Sequence, residues 1–130
     1  MTLELSQVIA QELRSHGAIV VLTRETDTDL SHLVSVKQEI ELSKQDYARD
    51  RQGGLTTPSR DRGVALGTRI PPRYRLGLRA RLLIAEDSSG DVLISIHANK
   101  FRSSSALGSA VLYQPHCPLS KKLAQGIQAP

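Results

Sequence analysis

The residue best placed for chemistry is a histidine that directly follows an apolar run. His97 comes after residues 91–96 (DVLISI), a short stretch typical of a strand buried in a parallel sheet. Ligands of open α/β sheets bind just beyond the carboxyl ends of the strands, where an imidazole can ligate a metal or act as a general base. The alternative is a histidine that hydrogen-bonds the neighbouring backbone at a strand end, and position alone does not separate the two interpretations.

A second pair of candidate ligands follows another apolar run. His116 and Cys117 come shortly after residues 108–113, also near the end of a predicted strand. If that strand lies parallel and next to residues 91–96, His116 can approach His97 and a Cys-His-His metal site is conceivable. The spacing matches no compact zinc signature, so we favour a turn in which Cys117 lies at a helix cap.

The other ionisable side chains have simpler interpretations. His16 and His32 lie in polar surroundings and are expected to be solvated. Four arginines precede or begin a predicted helix, where they can bind phosphate or an acidic glycan, or form the wet face of the helix: Arg73, Arg75, Arg79 and Arg81. No aromatic side chains are interleaved to stack on bases, and we favour the wet face.

The elements that position these residues follow from hydrophobic periodicity. Three helices are predicted: 2–16, from Tyr74 to about 86, and from Pro118 onwards. Three strands are predicted from short apolar runs: 18–22, 91–96 and 108–113. This order predicts an α/β fold with an open, mostly parallel central sheet flanked by helices.

A charged insertion at about 30–73 interrupts this pattern. A helix is predicted to begin at Ser31, with apolar residues recurring on one face as far as Tyr47. Residues 50–73 have no usable periodicity and are predicted to form a loop. A long irregular insertion inside a compact domain is usually functional or mobile.

Several segments, in order, closely resemble the signature of zinc-dependent N-acetylmuramoyl-L-alanine amidases. The matching segments are GAIVVLTR (17–24) with Thr26-Asp27, RLLIAEDSSGDVLISIHAN (81–99), and 108–128. Glu86 and Gly90 stand where the family usually has Asn and Ala. The opening TLEL (2–5) is similar to the first helix of the spore-germination branch. The insertion is longer than the usual connection there.

This resemblance implies hydrolysis of the amide bond between N-acetylmuramic acid and L-alanine in peptidoglycan, in the cell wall, outside the cell or in the periplasm. It also implies one Zn²⁺ on three protein ligands, with a Glu as general base. Of these residues, His97 alone matches a family ligand in this chain. The other His and Glu ligands are expected before Met1, and the catalytic Glu beyond Pro130. Residues 1–130 are therefore predicted to be a partial catalytic domain that contains no catalytic residue and has impaired activity.

Composition limits the alternatives without selecting among them. The chain has 130 residues, 39% of them hydrophobic, and a formal net charge of +4. One cysteine excludes an intramolecular disulfide, no apolar run approaches the ~20 residues of a membrane span, and the N-terminus shows no signal peptide. Two other functions remain open: a non-catalytic remnant that binds the wall or a partner, and a basic nucleic-acid-binding module, which we disfavour.

Overall fold

A computed structural model describes residues 2–97 and 108–128, and all the regular structure in these residues is helical. The chain divides into two compact units, Met1–His97 and Ala98–Pro130. The first unit contains helices α1 (Thr2–Ser15), α2 (Val36–Gln52), α3 (Ser59–Ala65) and α4 (Arg73–Asp87), with a 3-10 turn at Ser31–Leu33 before α2. The second contains α5 (Pro118–Gln128). None of the helices in these residues is long and apolar enough to cross a membrane.

Local signals place most of the helix ends. Gly17 follows α1 with φ of +88°, a left-handed conformation that glycine adopts without steric cost. The Ser35 side chain caps α2 by accepting a hydrogen bond from the Gln38 amide. Pro118 is the first residue of α5, a position where its missing N–H costs nothing. The three helices predicted outside the insertion are confirmed.

The insertion is more helical than predicted. Its first helix does not begin at Ser31: a 3-10 turn lies there, and α2 begins at Val36. The predicted loop over 50–73 is wrong in part, since α3 forms within it. This helix has only seven residues, too few for a stable helix alone. It packs closely along α2, and its Val64 and Ala65 are buried, so tertiary contacts stabilise it.

The predicted α/β fold with a central sheet is wrong for the described residues, which contain no strand. Segments 18–22, 91–96 and 108–113 are irregular, and Ile19 and Leu112 are 98% and 94% exposed. An apolar run forms a strand only when another segment pairs with its backbone, and no described segment does so. The backbone after α1 is held differently: the Arg14 guanidinium donates to the Val20 carbonyl at 2.6 Å.

The core of the first unit is small and partly polar. Its buried apolar residues are Ala10, Val34, Val64, Ala65 and Ala80. A carboxylate is buried in the same unit, since Glu39 of α2 is 0% exposed. Buried charge is expensive unless it is paired and hydrogen-bonded, so the partners of Glu39 decide how the helices are held together.

Candidate functional site

His97 lies at the end of the first unit with an exposed side chain. Its Nε2 lies 2.8 Å from the Ser95 hydroxyl, and the imidazole tautomer decides which atom donates. This partner is a side chain rather than the backbone group expected at a strand end. The motif continues through Ala98 and Asn99, which lie outside the described residues.

The described residues do not by themselves fit a zinc site. Within 2–97 and 108–128, no three His, Cys, Asp or Glu side chains come together to hold a metal ion. A catalytic zinc normally has three protein ligands and one open position. The described residues therefore bring together fewer possible ligands than a catalytic zinc site requires.

Cys117 lies where our favoured interpretation placed it, directly before α5. Its backbone N–H donates to the Gln114 carbonyl at 3.1 Å, closing the turn. Hydrogen bonds from the Ser120 side chain and backbone hold the pKa of the Cys117 thiol below its usual value. The alternative Cys-His-His site needed adjacent strands at 91–96 and 108–113, and neither segment is a strand.

His16 and His32 are exposed, as predicted. The His16 Nδ1 lies 3.0 Å from the Glu12 carbonyl at the end of α1. The His32 Nδ1 lies 2.8 Å from the Asp29 carbonyl. Both rings therefore contact local backbone, and neither belongs to a cluster of possible metal ligands in the described residues.

The arginines of α4 do not all lie on a solvent-exposed face of the helix. This corrects the interpretation that we favoured from the sequence. The side chains of Arg75 and Arg79 are only 19% and 12% exposed. Each donates from Nε to a different oxygen of Glu39, at 2.6 and 2.7 Å. Ser43, one turn along α2, donates to the same carboxylate at 2.9 Å. Glu39 thus has a hydrogen-bond donor from each of three side chains.

Two outer carboxylates complete this charge cluster. Arg79 reaches Asp46 of α2 at 2.6 Å, and Arg75 contacts Asp61 of α3. Burial by itself raises the pKa of Glu39, but hydrogen bonds from Arg79, Arg75 and Ser43 outweigh it and hold that pKa below its usual value. Every buried side-chain polar atom in the described residues has a hydrogen-bond partner, so the buried charges of this cluster are matched within the protein.

Sequence reasoning missed this cluster although a signal for it exists. Glu39, Ser43 and Asp46 recur at helical spacing on α2, and Arg75 and Arg79 do so on α4. Each series predicts a one-sided polar stripe. Which stripe faces another, and whether either faces water, depends on how the helices pack.

A shallow groove runs between α1 and the segment that follows it. Its lining consists of Gln7, Gln11, Arg14, Leu22, Glu25 and Thr26. The Gln7 amide donates across it to the Glu25 carbonyl at 3.0 Å, and Arg14 is bonded to Val20. These contacts hold the chain after α1 against the helix, so the groove is a feature of local packing.

Comparison with known protein families finds a match. The family model described as N-acetylmuramoyl-L-alanine amidase matches residues 1–130. No curated protein and no solved structure matches the chain. The family match covers the motif segments and the insertion together, and it confirms the resemblance to the amidases.

Proposed function

The chain belongs to the N-acetylmuramoyl-L-alanine amidase family, and from this membership we propose that it is part of an enzyme that hydrolyses the amide between N-acetylmuramic acid and L-alanine. In that reaction water adds to the carbonyl and the C–N bond breaks, leaving a carboxylate on the lactyl group and a free amine on alanine. The substrate is peptidoglycan, which places the protein in the cell wall, outside the cell or in the periplasm.

His97 is the metal ligand that this chain contributes. The observation that supports the assignment is the Ser-Ile-His-Ala-Asn motif, which stands in its family order within a match over residues 1–130. The exposed imidazole is accessible to an ion. The remaining zinc ligands and the general base come from outside these 130 residues, which form a partial catalytic domain with an insertion at about 30–73. The spore-germination branch remains a prediction from TLEL (2–5).

The first prediction tests this assignment by metal content and wall hydrolysis. The 130-residue chain alone should bind zinc weakly or not at all and release no stem peptides from purified peptidoglycan, because it holds one family ligand of three. A version extended upstream through the family's other His and Glu ligands and downstream through its catalytic Glu should bind about one zinc per chain and release peptide. Zinc is measured by elemental analysis after dialysis.

Two variants of the extended protein make the test specific. His97→Ala should reduce zinc to near zero and abolish peptide release. His116→Ala removes another exposed histidine outside the motif and should leave both unchanged. One tight zinc and wall cleavage by the 130-residue chain alone would show that the ligands are misassigned. Retention on peptidoglycan by the extended protein, without metal or hydrolysis, would favour the non-catalytic alternative.

A further inference from the structure

Helices α2, α3 and α4 and the 3-10 turn before α2 are packed in two pairs rather than as one block. α2 packs closely along α3, and the 3-10 turn at Ser31–Leu33 packs closely against α4, whereas α2 approaches α4 at few positions. The turn is also tied to α4 by side chains, since Arg73 donates to the Ser31 hydroxyl at 3.0 Å and pairs with Asp29 at 2.7 Å. The α2–α3 pair is thus packed separately from the pair formed by α4 and the 3-10 turn.

The polar contacts between the α2–α3 pair and α4 come from two residues. Among the described side chains, every hydrogen bond from α4 to α2 or α3 is made by Arg75 or Arg79, which reach Glu39, Ser43, Asp46 and Asp61. Replacing a buried ion pair by apolar groups is often neutral or stabilising, because desolvation offsets the attraction. When such a contact opens, water hydrates the separated charges. The free energy of opening is therefore lower for an interface made of ion pairs than for an apolar one.

The connections on both sides of the α2–α3 pair are short joints. Ser35 caps α2 and therefore moves with it, which leaves the first joint between Val34 and Ser35. On the other side, the amides of Thr68 and Arg69 donate to the Gly63 carbonyl at 2.9 and 3.0 Å. This turn is tied to α3, so the second joint is confined to residues 70–72.

We propose that α2 and α3 form a two-helix flap that opens from α4 as one unit, with Arg75 and Arg79 as its latch. The flap consists of residues 35–69, with α2 and α3 as its helices, and the 3-10 turn remains on α4 when it opens. Because both guanidinium groups share Glu39, the two halves of the latch are coupled and release together. This inference depends on the helical unit alone and not on the proposed amidase activity.

The second prediction tests the flap by hydrogen exchange of the 130-residue chain at neutral pH, read by mass spectrometry. Glu39→Gln keeps the size of the side chain and removes the charge that both arginines share. Amide exchange across 36–65 should accelerate by at least about tenfold, as one cooperative segment, while exchange in α1 and in residues 80–87 is unchanged. Glu41→Gln, two residues away in an exposed pair with Lys44, is the matched control and should change exchange by less than about twofold.

A weaker variant keeps the test valid if Glu39→Gln does not fold. Asp46→Asn removes the partly exposed outer partner of Arg79. It should accelerate the same segment by a smaller factor, about two- to threefold. Acceleration spread evenly over residues 2–87 would show global unfolding and overturn the flap. Equal effects of Glu39→Gln and Glu41→Gln would show that the cluster is not a latch.

Discussion

Glu39 and Cys117 show how different surroundings move a pKa in the same direction. Around the buried Glu39, donors from two guanidinium groups and a hydroxyl overcome the effect of burial. Around Cys117, the donors belong to the first turn of α5 and to the Ser120 hydroxyl. In both cases hydrogen bonds to the charged form favour it. The hydrogen bonds around Glu39 also join helices, and those around Cys117 favour its thiolate form.

The third prediction concerns this cysteine. The thiolate is the nucleophile, so a lowered thiol pKa moves the onset of alkylation to lower pH. The rate of iodoacetamide labelling is measured as a function of pH. The rate for Cys117 should begin to rise at a lower pH than the rate for a cysteine in a short unfolded peptide. Ser120→Ala removes the largest cause and should shift the profile back towards higher pH. An unchanged profile in Ser120→Ala would contradict the assigned cause.

At the scale of the element, two glycines have equally open surroundings and opposite conformational roles. A Cβ built at Gly17 or at Gly126 would meet nothing within 4 Å. Gly17 has φ of +88° at the end of α1, whereas Gly126 lies inside α5. The fourth prediction is that Gly17→Ala destabilises α1 by about 1–2 kcal/mol, because its φ is unfavourable for alanine. Gly126→Ala should stabilise α5 by up to about 1 kcal/mol.

Thermal unfolding followed by circular dichroism, with hydrogen exchange to locate the change, checks this pair. The two substitutions add the same methyl group, so side-chain size cannot explain opposite signs. Exchange should accelerate in residues 2–15 for Gly17→Ala and slow in residues 118–128 for Gly126→Ala. Changes of the same sign in both variants would show that backbone conformation does not control stability at these two positions.

At the scale of the whole molecule, the charge cluster makes the helical unit sensitive to acid. The fifth prediction starts from the lowered pKa of Glu39, whose unperturbed value is 4.5. A carboxyl with a lower pKa in the folded state contributes stability that is present above the unfolded pKa and is lost as pH falls through the folded one. The charged groups that face Glu39 are Arg75 and Arg79, with Asp46 and Asp61 beyond them.

The helix content, measured by circular dichroism at 222 nm, should therefore be steady near neutral pH and fall below about pH 4.5. Glu39→Gln should lower the free energy of opening residues 36–65 at neutral pH by at least about 1.4 kcal/mol, the equivalent of the tenfold change expected in hydrogen exchange, since it leaves the arginines without their shared partner. Stability in this variant should also depend less steeply on pH in the acid range. Glu41→Gln should retain the wild-type acid dependence. A wild-type protein that becomes more stable as the pH falls would contradict this prediction.

The features that could be predicted from the sequence are those controlled by neighbouring residues. Helical periodicity with Gly17 and Pro118 at the boundaries located α1 and α5, because helix hydrogen bonds join residues four apart. The motif around His97 identified the amidase family, since residue types in a fixed order require no tertiary information. The role of His97 as a metal ligand stays a prediction, because no three possible ligand side chains come together in the described residues.

The remaining features depend on which distant segments meet. Residues 18–22 have the composition of a strand, but a strand needs a partner elsewhere in the chain, and no described segment pairs with it. The spacing of Arg75 and Arg79 is the same whether they face water or Glu39, 36 and 40 residues away. Strand pairing and ion pairing between helices are non-local contacts, so their outcome is decided only when the chain is packed in three dimensions.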